Sequence, residues 1–413
     1  MTGTRGDRFP YALLGTWGLT RLVLLLFVFR VFVFPGPDVT SDVSVIYQGW
    51  YEVLRTGTFP LDDVTWQYPP AAALAILSPG LLPFLDYTSA FFVLAFLADV
   101  LVFALLRYAG LRPGKSLRGA WVWVAGVPLL GPTVYARYDV MVTAVAVAAL
   151  LAGVRHPRLM GALAGFGAMV KVWPVLLLVG AAKGSAKRAW GSAAVTTGGL
   201  ALLFAASMPG AFSFLAFQRN RGTEVESLGS LVFHVARHFG WDGEVLLNYG
   251  SVEFLGRYVD VVSGAALFLT AVAFGWVLLW RLCAKRFLAH TLAEAAFVAV
   301  LMFTATSRVI SPQYMVWLVG LAAVCLCFRG TRMTVPVVLV LAAALVTVLE
   351  FPVWFSHVVA SDALGITLLF VRNGLLVAAA LTAAVQLWRG TVSRPAPTVP
   401  SQAARTRESL ASS

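Results

Sequence analysis

A lysine inside an apolar run is the first residue in this sequence whose chemistry asks for an explanation. Lys171 stands between Val170 and Val172-Trp173-Pro174, and no other lysine lies within an apolar stretch. A charge at membrane depth is expensive unless it faces a cavity or a partner, so it reads as a functional-site residue. Two carboxylates open helices. Asp42 follows Ser41 at the start of an amphipathic stretch in which Val45, Tyr47, Trp50, Tyr51 and Leu54 make one apolar and aromatic face, ended by Gly57. Ser41 would cap this helix, and Asp42 in its first turn either does chemistry or steadies the helix dipole. Asp139, within Arg137-Tyr138-Asp139, either orients a substrate or caps its own helix. Arg219, Arg221 and Arg308 are cations that could meet negative charge on a substrate or neutralise Glu224, Glu226 and other acids. His234 and His238 have an i,i+4 spacing, but no glutamate of the HExxH kind accompanies them, and no metal is expected. Asp62 and Asp63 fall in a Pro- and Trp-containing turn that suits a solvated loop.

The elements that must position these residues are membrane helices. Of 413 residues, 59% are hydrophobic and 12% charged, with a mean hydropathy of +0.82; soluble proteins carry roughly 25% charged residues. A nucleic-acid binder, a disulfide scaffold and a disordered chain are excluded. Cys283, Cys325 and Cys327 form neither a disulfide framework nor a metal-ligand spacing. The net charge of +12 is then the excess of Arg and Lys expected at cytoplasmic helix ends.

Apolar segments at 11–34, 87–108, 257–281 and 362–388 are long enough to cross a bilayer, and shorter ones lie at 119–134, 139–154, 161–182, 190–207, 291–306, 311–328 and 334–350. The first lacks a signal-peptide cleavage site and is read as a retained helix. Basic clusters at 107–118, 155–158, 183–188, 281–286, 329–332 and after Trp388 should all be cytoplasmic. That arrangement requires segment 69–84, interrupted by Ser78-Pro79-Gly80 and Pro83, to be juxtamembrane or re-entrant. It also requires 161–182 to rise and return as two short helices broken at Lys171-Val172-Trp173-Pro174. The expectation is about twelve crossings with both termini cytoplasmic. The single membrane domain spans 1–388, followed by a disordered cytoplasmic tail at 389–413. The acids Asp38, Asp42, Glu52, Asp62, Asp63, Asp139, Glu224, Glu226, Asp242, Glu244, Glu253 and Asp260 then all fall outside, mostly in two large loops at 35–68 and 209–256. Arg21 and Asp99 come out at the same depth, roughly 14–15 Å above the inner face, and should pair.

The order Asp42, amphipathic helix, Gly57-Thr58-Phe59-Pro60, Tyr68-Pro69-Pro70 resembles the GT-C superfamily of lipid-phosphosugar-dependent glycosyltransferases. Downstream follow Arg137-Tyr138-Asp139, Lys171-Val172-Trp173-Pro174, Arg221-Gly222, Glu226-Ser227-Leu228 and Ser311-Pro312-Gln313-Tyr314. Together they are most similar to glycosyltransferase family 87, the polyprenol-phosphate-mannose-dependent mannosyltransferases and their actinobacterial relatives. The resemblance covers the chain up to its tail. One departure is visible: the family often has tyrosine four residues after the key Asp, where this chain has Ile46 and then Tyr47.

The resemblance implies an all-α polytopic membrane protein of the GT-C fold in a bacterial plasma membrane. Its activity would be transfer of a hexose, by family mannose, from a polyprenyl-phosphate sugar to a lipid or glycan acceptor on the outer side. Asp42 would be the general base of an inverting single displacement. Lys171, Arg308 and Arg221 would surround the donor phosphate, and Asp139, Tyr68, Glu226, Gln313 and Tyr314 would contact substrate. No cofactor, metal or nucleic-acid partner is implied; the partners are the two substrates and membrane lipids. A transporter or flippase of lipid-linked sugars is the alternative, but only one Pro-broken pair is evident where inverted repeats would supply two.

Overall fold

In the computed structural model, residues 5–61, 63–219 and 221–392 are described, with the backbone alone for 5–10 and 217–219. Helices that are apolar on every side sit in the centre. In α12 (Thr291–Thr306) and α13 (Tyr314–Leu326) nearly every residue is buried, and α6 (Asp139–Gly153) is almost as enclosed. Such helices need protein on all faces. Around them, among the described residues, lie six helical stretches long and apolar enough to cross a membrane. These are α1 (Arg5–Val28), α4 (Tyr87–Gly110), α8 (Lys183–Ser207), α11 (Val259–Cys283), α14 (Thr334–Val348) with its π-helical extension to Val353, and α16 (Ala363–Thr391). Leu19, Leu22, Val195, Leu202, Phe268 and Leu278 point outward from α1, α8 and α11, as a lipid-facing surface requires.

The six long stretches support a multi-pass membrane protein without giving the expected count of about twelve crossings. Segment 119–134 folds as α5 (Arg118–Gly126) and then a 3₁₀ stretch containing Pro128 and Pro132, because proline cannot donate to a continuing helix. Segment 69–84 gives α3 (Ala72–Leu77) and one 3₁₀ turn; six residues rise about 9 Å, too little to span. The break at Lys171 is as expected: α7 (Pro157–Val170) stops, Lys171 is extended, and Trp173–Gly180 continues as a 3₁₀ helix. The last helix runs three residues past Trp388, to Thr391, and the remainder of the expected tail at 393–413 lies outside the described residues.

Two close approaches fix this frame. Gly161 and Gly165 lie against the carbonyls of Ala189 and Ala193 on α8; a Cβ at Gly161 would sit 2.1 Å from the Ala189 oxygen, the small-residue contact typical of membrane helices. Arg21 and Asp99 pair as expected, with Nε–Oδ2 at 2.9 Å and the second arm at 3.1 Å. Trp123 and Tyr135 donate to the same carboxylate at 2.6 and 2.9 Å, so the charge is fully met inside the bundle.

The first loop opens with a π-helical turn, Asp42–Tyr47, that runs into α2 (Gln48–Leu54). Ser41 does not cap it, because its hydroxyl donates to the Asp38 carbonyl at 2.7 Å. The extra residue per turn rephases the buried face to Val43, Tyr47, Trp50 and Leu54, leaving Val45 exposed. Instead of lying on lipid, this face packs on protein, Tyr47 meeting Phe91 and Tyr138. Asp63 is a structural pin: it accepts from the Trp50 indole at 2.7 Å and from Thr65, so the solvated-loop expectation fails there. Asp62 lies outside the described residues.

The second loop departs from an all-helical fold. After α9 (Phe214–Arg219), β1 (Thr223–Glu224), α10 (Leu231–Ala236), β2 (Glu244–Asn248) and β3 (Ser251–Leu255) form an antiparallel sheet in the order β1-β3-β2. A small second core of Val225, Phe233, Phe254 and Val259 seats it on Val358 of α15 (Phe355–Ala360) and Leu369 of α16. His234 and His238 belong to this seat. Both bond Ser361, through its hydroxyl and its carbonyl at 2.7 Å each, and His234 also reaches the Val225 carbonyl.

Candidate active site

Asp42 and Asp139 arrive from two elements and meet two cations. Arg137, in the turn before α6, bonds Asp42 Oδ2 at 2.6 Å and donates to the carbonyls of Val39 and Ala136 at 3.2 and 2.8 Å. It therefore holds both the carboxylate and the backbone that presents it. Asp139 is not the cap of its helix. Its Oδ1 accepts from Lys171 Nζ and from the Trp317 indole, each at 2.7 Å. The Asp42 side chain is 33% exposed and that of Asp139 is 1% exposed, so only Asp42 can reach a substrate without rearrangement.

Lys171 reaches this centre because α7 ends one residue earlier, which turns the lysine inward. Its ammonium lies among four rings, 5.0–5.7 Å from the centres of Tyr68, Tyr138, Tyr314 and Trp317. Ring faces and one carboxylate compensate a buried cation well. Trp173 stacks on Trp317, and Tyr314 on the same indole, so α13 is pinned to the break. Burial raises the phenols of Tyr47 and Tyr68 above their ordinary range, keeping both as hydroxyl donors. Among the described residues, Tyr138 Oη and Asp139 Oδ2 have no hydrogen-bond partner. Gln313 is the half-buried residue before α13, beside Tyr314.

The second loop brings its own charges toward this centre. Arg221 bonds Glu253 at 3.4 Å and the Ser251 hydroxyl at 2.6 Å. Glu224 sits directly across the sheet from Glu253. Like charges opposite one another repel, and Arg221 offsets this pair. Arg308 donates to Ser263 at 3.2 Å, its carbonyl accepts the Glu224 amide, and its charge interacts with Arg221. Glu224 Oε1 accepts from Ser311 at 3.1 Å, and burial pushes this carboxyl up to about 7. Glu226 is turned into another cluster, where its carbonyl accepts from Arg372 and its carboxyl lies beside Glu350. Burial and the Glu224 and Glu350 carboxylates push it upward. The Arg219 side chain lies outside the described residues.

The sequence singled out Asp42, Asp139 and Lys171, which the structure brings together, but it assigned no role to Arg137, Tyr138 or Trp317. Arg137 had a visible signal, a cation two residues before Asp139 at an outer helix mouth. Trp317, one turn into α13, reads as an ordinary core aromatic. Among the described residues no group of three or more His, Cys, Asp or Glu side chains could hold a metal ion. The arrangement offers a reachable carboxylate beside an arginine, backed by a caged lysine–aspartate pair. That suits deprotonating a hydroxyl next to an anion.

A search among curated proteins finds no match. The model of glycosyltransferase family 87 matches residues 66–312, a span holding Tyr68, Arg137, Asp139, Lys171, Arg221, Glu226 and Arg308, though Asp42 precedes it and Gln313 and Tyr314 follow it. This sets the transporter reading aside: with more than half its length matched, the chain belongs to glycosyltransferase family 87 and is a multi-pass membrane glycosyltransferase.

Proposed function

We propose that the protein transfers a hexose, by family resemblance mannose, from a polyprenyl-phosphate sugar to a lipid or glycan hydroxyl on the extracytoplasmic side of a bacterial plasma membrane. The observation that carries this reading is the Asp42–Arg137 pair, a carboxylate open to substrate at the head of the lysine cage. The acceptor hydroxyl gives its proton to Asp42 as its oxygen attacks the anomeric carbon. The bond from that carbon to the phosphate oxygen breaks on the opposite face, inverting the configuration and releasing polyprenyl phosphate. Lys171, Arg221 and Arg308 meet the phosphate charge, Lys171 sharing its ammonium between the phosphate and Asp139. Tyr68, Tyr314 and Gln313 line the sugar, and Glu226 supports the second loop behind Arg221. No metal or cofactor enters this scheme.

The outward orientation rests on charge: the basic clusters of the sequence read as cytoplasmic and the acids of its two large loops as extracytoplasmic. A survey of purified protein with labelled polyprenyl-phosphate sugars and candidate acceptors tests the reaction. Mannosyl transfer that vanishes in Asp42→Asn supports it, and transfer from a nucleotide sugar instead would refute it. Cysteines placed near Asp63 and Glu244 should react with an impermeant thiol reagent in intact cells, and those near Lys115 and Arg158 should not. The reverse pattern would invert the orientation.

A further inference from the structure

At the end of the bundle opposite Asp42, two cavities adjoin. Helix α6 carries Asp139 at its first residue and ends fourteen residues on, at Gly153, about 21 Å away, so this end is remote from the site described above. The first cavity, of about 480 Å³, is lined by Arg155, His156, Pro157, Arg158, Leu159 and Arg188, with no acid among them. The second, of about 280 Å³, is walled mainly by apolar side chains, among them Val154, Met160, Ala181, Leu288 and Leu292, with Ser185 and backbone as its polar part, and it shares Pro157 with the first. A cationic mouth thus opens beside an apolar cleft.

The three guanidinium groups differ from Lys115 and Arg329. Lys115 lies over the Phe328 ring and Arg329 donates to the Lys115 carbonyl at 2.8 Å. Among the described residues no hydrogen bond, ion pair or ring contact engages the side chains of Arg155, Arg158 or Arg188, all of them exposed. Their placement is nevertheless fixed. Ser192 on α8 donates to the Arg158 carbonyl at 2.8 Å, and Arg188 lies one turn before Ser192, on the same face. Leu159, exposed, lines the mouth beside these cations.

We propose that this pair of cavities binds an anionic phospholipid, its phosphate among Arg155, Arg158 and Arg188 and part of one acyl chain in the cleft behind Pro157. Guanidinium forks match phosphate oxygens, and basic pockets between membrane helices favour anionic headgroups. The adjoining cleft selects a lipid over a free phosphate ion. The occupied site would brace α6 against α7 and α8, the hairpin whose far ends carry Asp139 and Lys171.

The test is a titration of the purified full-length protein in detergent with phosphatidylglycerol, read by native mass spectrometry. Phosphatidylcholine of the same acyl chains and inorganic phosphate serve as comparisons. Phosphatidylglycerol should bind and phosphatidylcholine only weakly, while inorganic phosphate at equal concentration should not displace the lipid. The exposed triple variant Arg155→Ala/Arg158→Ala/Arg188→Ala should bind about a hundred-fold more weakly, from roughly five-fold per lost cation. Ser185→Trp, which fills the apolar cleft but keeps every cation, should also weaken binding. Unchanged affinity in the triple variant, equal binding of phosphatidylcholine, or displacement by inorganic phosphate would each overturn the proposal.

Discussion

Replacing Lys171 by methionine keeps an unbranched apolar stem one atom shorter and removes the charge, so it tests how the centre of the protein tolerates Asp139 alone. At 2.7 Å the attraction between the two groups is about 6 kcal/mol for an effective dielectric constant near 20, most of it spent on desolvating both. Removing one partner is costlier than this balance suggests, because Asp139 keeps only the Trp317 N–H in a site from which water is excluded. The expected loss is about 3–5 kcal/mol, the range for an orphaned buried charge. Lys171→Met/Asp139→Asn removes both charges and keeps the indole bond, so it should recover most of that loss. Thermal unfolding in detergent, followed by the fluorescence of stacked Trp173 and Trp317, would measure all three proteins. Donor binding should stay weak in both variants, because the phosphate has lost its cation in each. A single variant as stable as wild type, or a double variant no better than the single, would refute the reasoning.

Two further outcomes follow from particular contacts. Gly161→Leu places a side chain on the Ala189 carbonyl, where only backbone can yield; it should cost roughly 1–3 kcal/mol or more by overpacking and reduce donor binding by shifting α7 and Lys171, both measurable on one detergent preparation. Burial lowers the His234 imidazole to about 4 from an ordinary value of 6.5, so its contribution is present in full above about 6.5 and lost as pH falls toward 4, on the order of 3 kcal/mol when complete. Glu224, raised to about 7, acts in the opposite sense, losing stability as pH rises. The opening free energy of β3 from hydrogen exchange, corrected for the pH dependence of the intrinsic exchange rate, should therefore fall less between pH 7.5 and 5 in His234→Gln than in wild type, and an identical profile would exclude His234 as the titrating group.

Much of the frame was legible because membrane energetics is severe. Arg21 and Asp99 could be paired from depth alone, since two lone charges at one level in hydrocarbon have few other choices. The interruption at Lys171 was legible from Pro174, and the failure of 69–84 to cross was legible from its prolines. The number of full crossings was not, because helices such as α12 and α13 are buried in protein and need not match the bilayer. In the first loop the sequence showed tyrosine five residues after Asp42, where four is usual. The π-helical turn, closed by i→i+5 bonds, puts Tyr47 one turn beyond Asp42, where an α-helix would put the fourth residue. Nothing in local periodicity announces such a turn. The sheet of the second loop was hidden for a similar reason: its strands are short, and β2 is mostly exposed. The side of the loop that Glu226 would face depended on Arg372 and Glu350, more than a hundred residues away in sequence.

The central claim is that Asp42 takes the acceptor proton. Its most direct test is the single-turnover rate of sugar transfer by Asp42→Asn, with polyprenyl-phosphate mannose pre-bound and its affinity measured on the same sample. The amide preserves size and can still accept a hydrogen bond from Arg137, so fold and donor affinity should hold while the rate falls by about a hundred- to ten-thousand-fold. A rate near that of wild type, with the donor bound as tightly, would contradict the account.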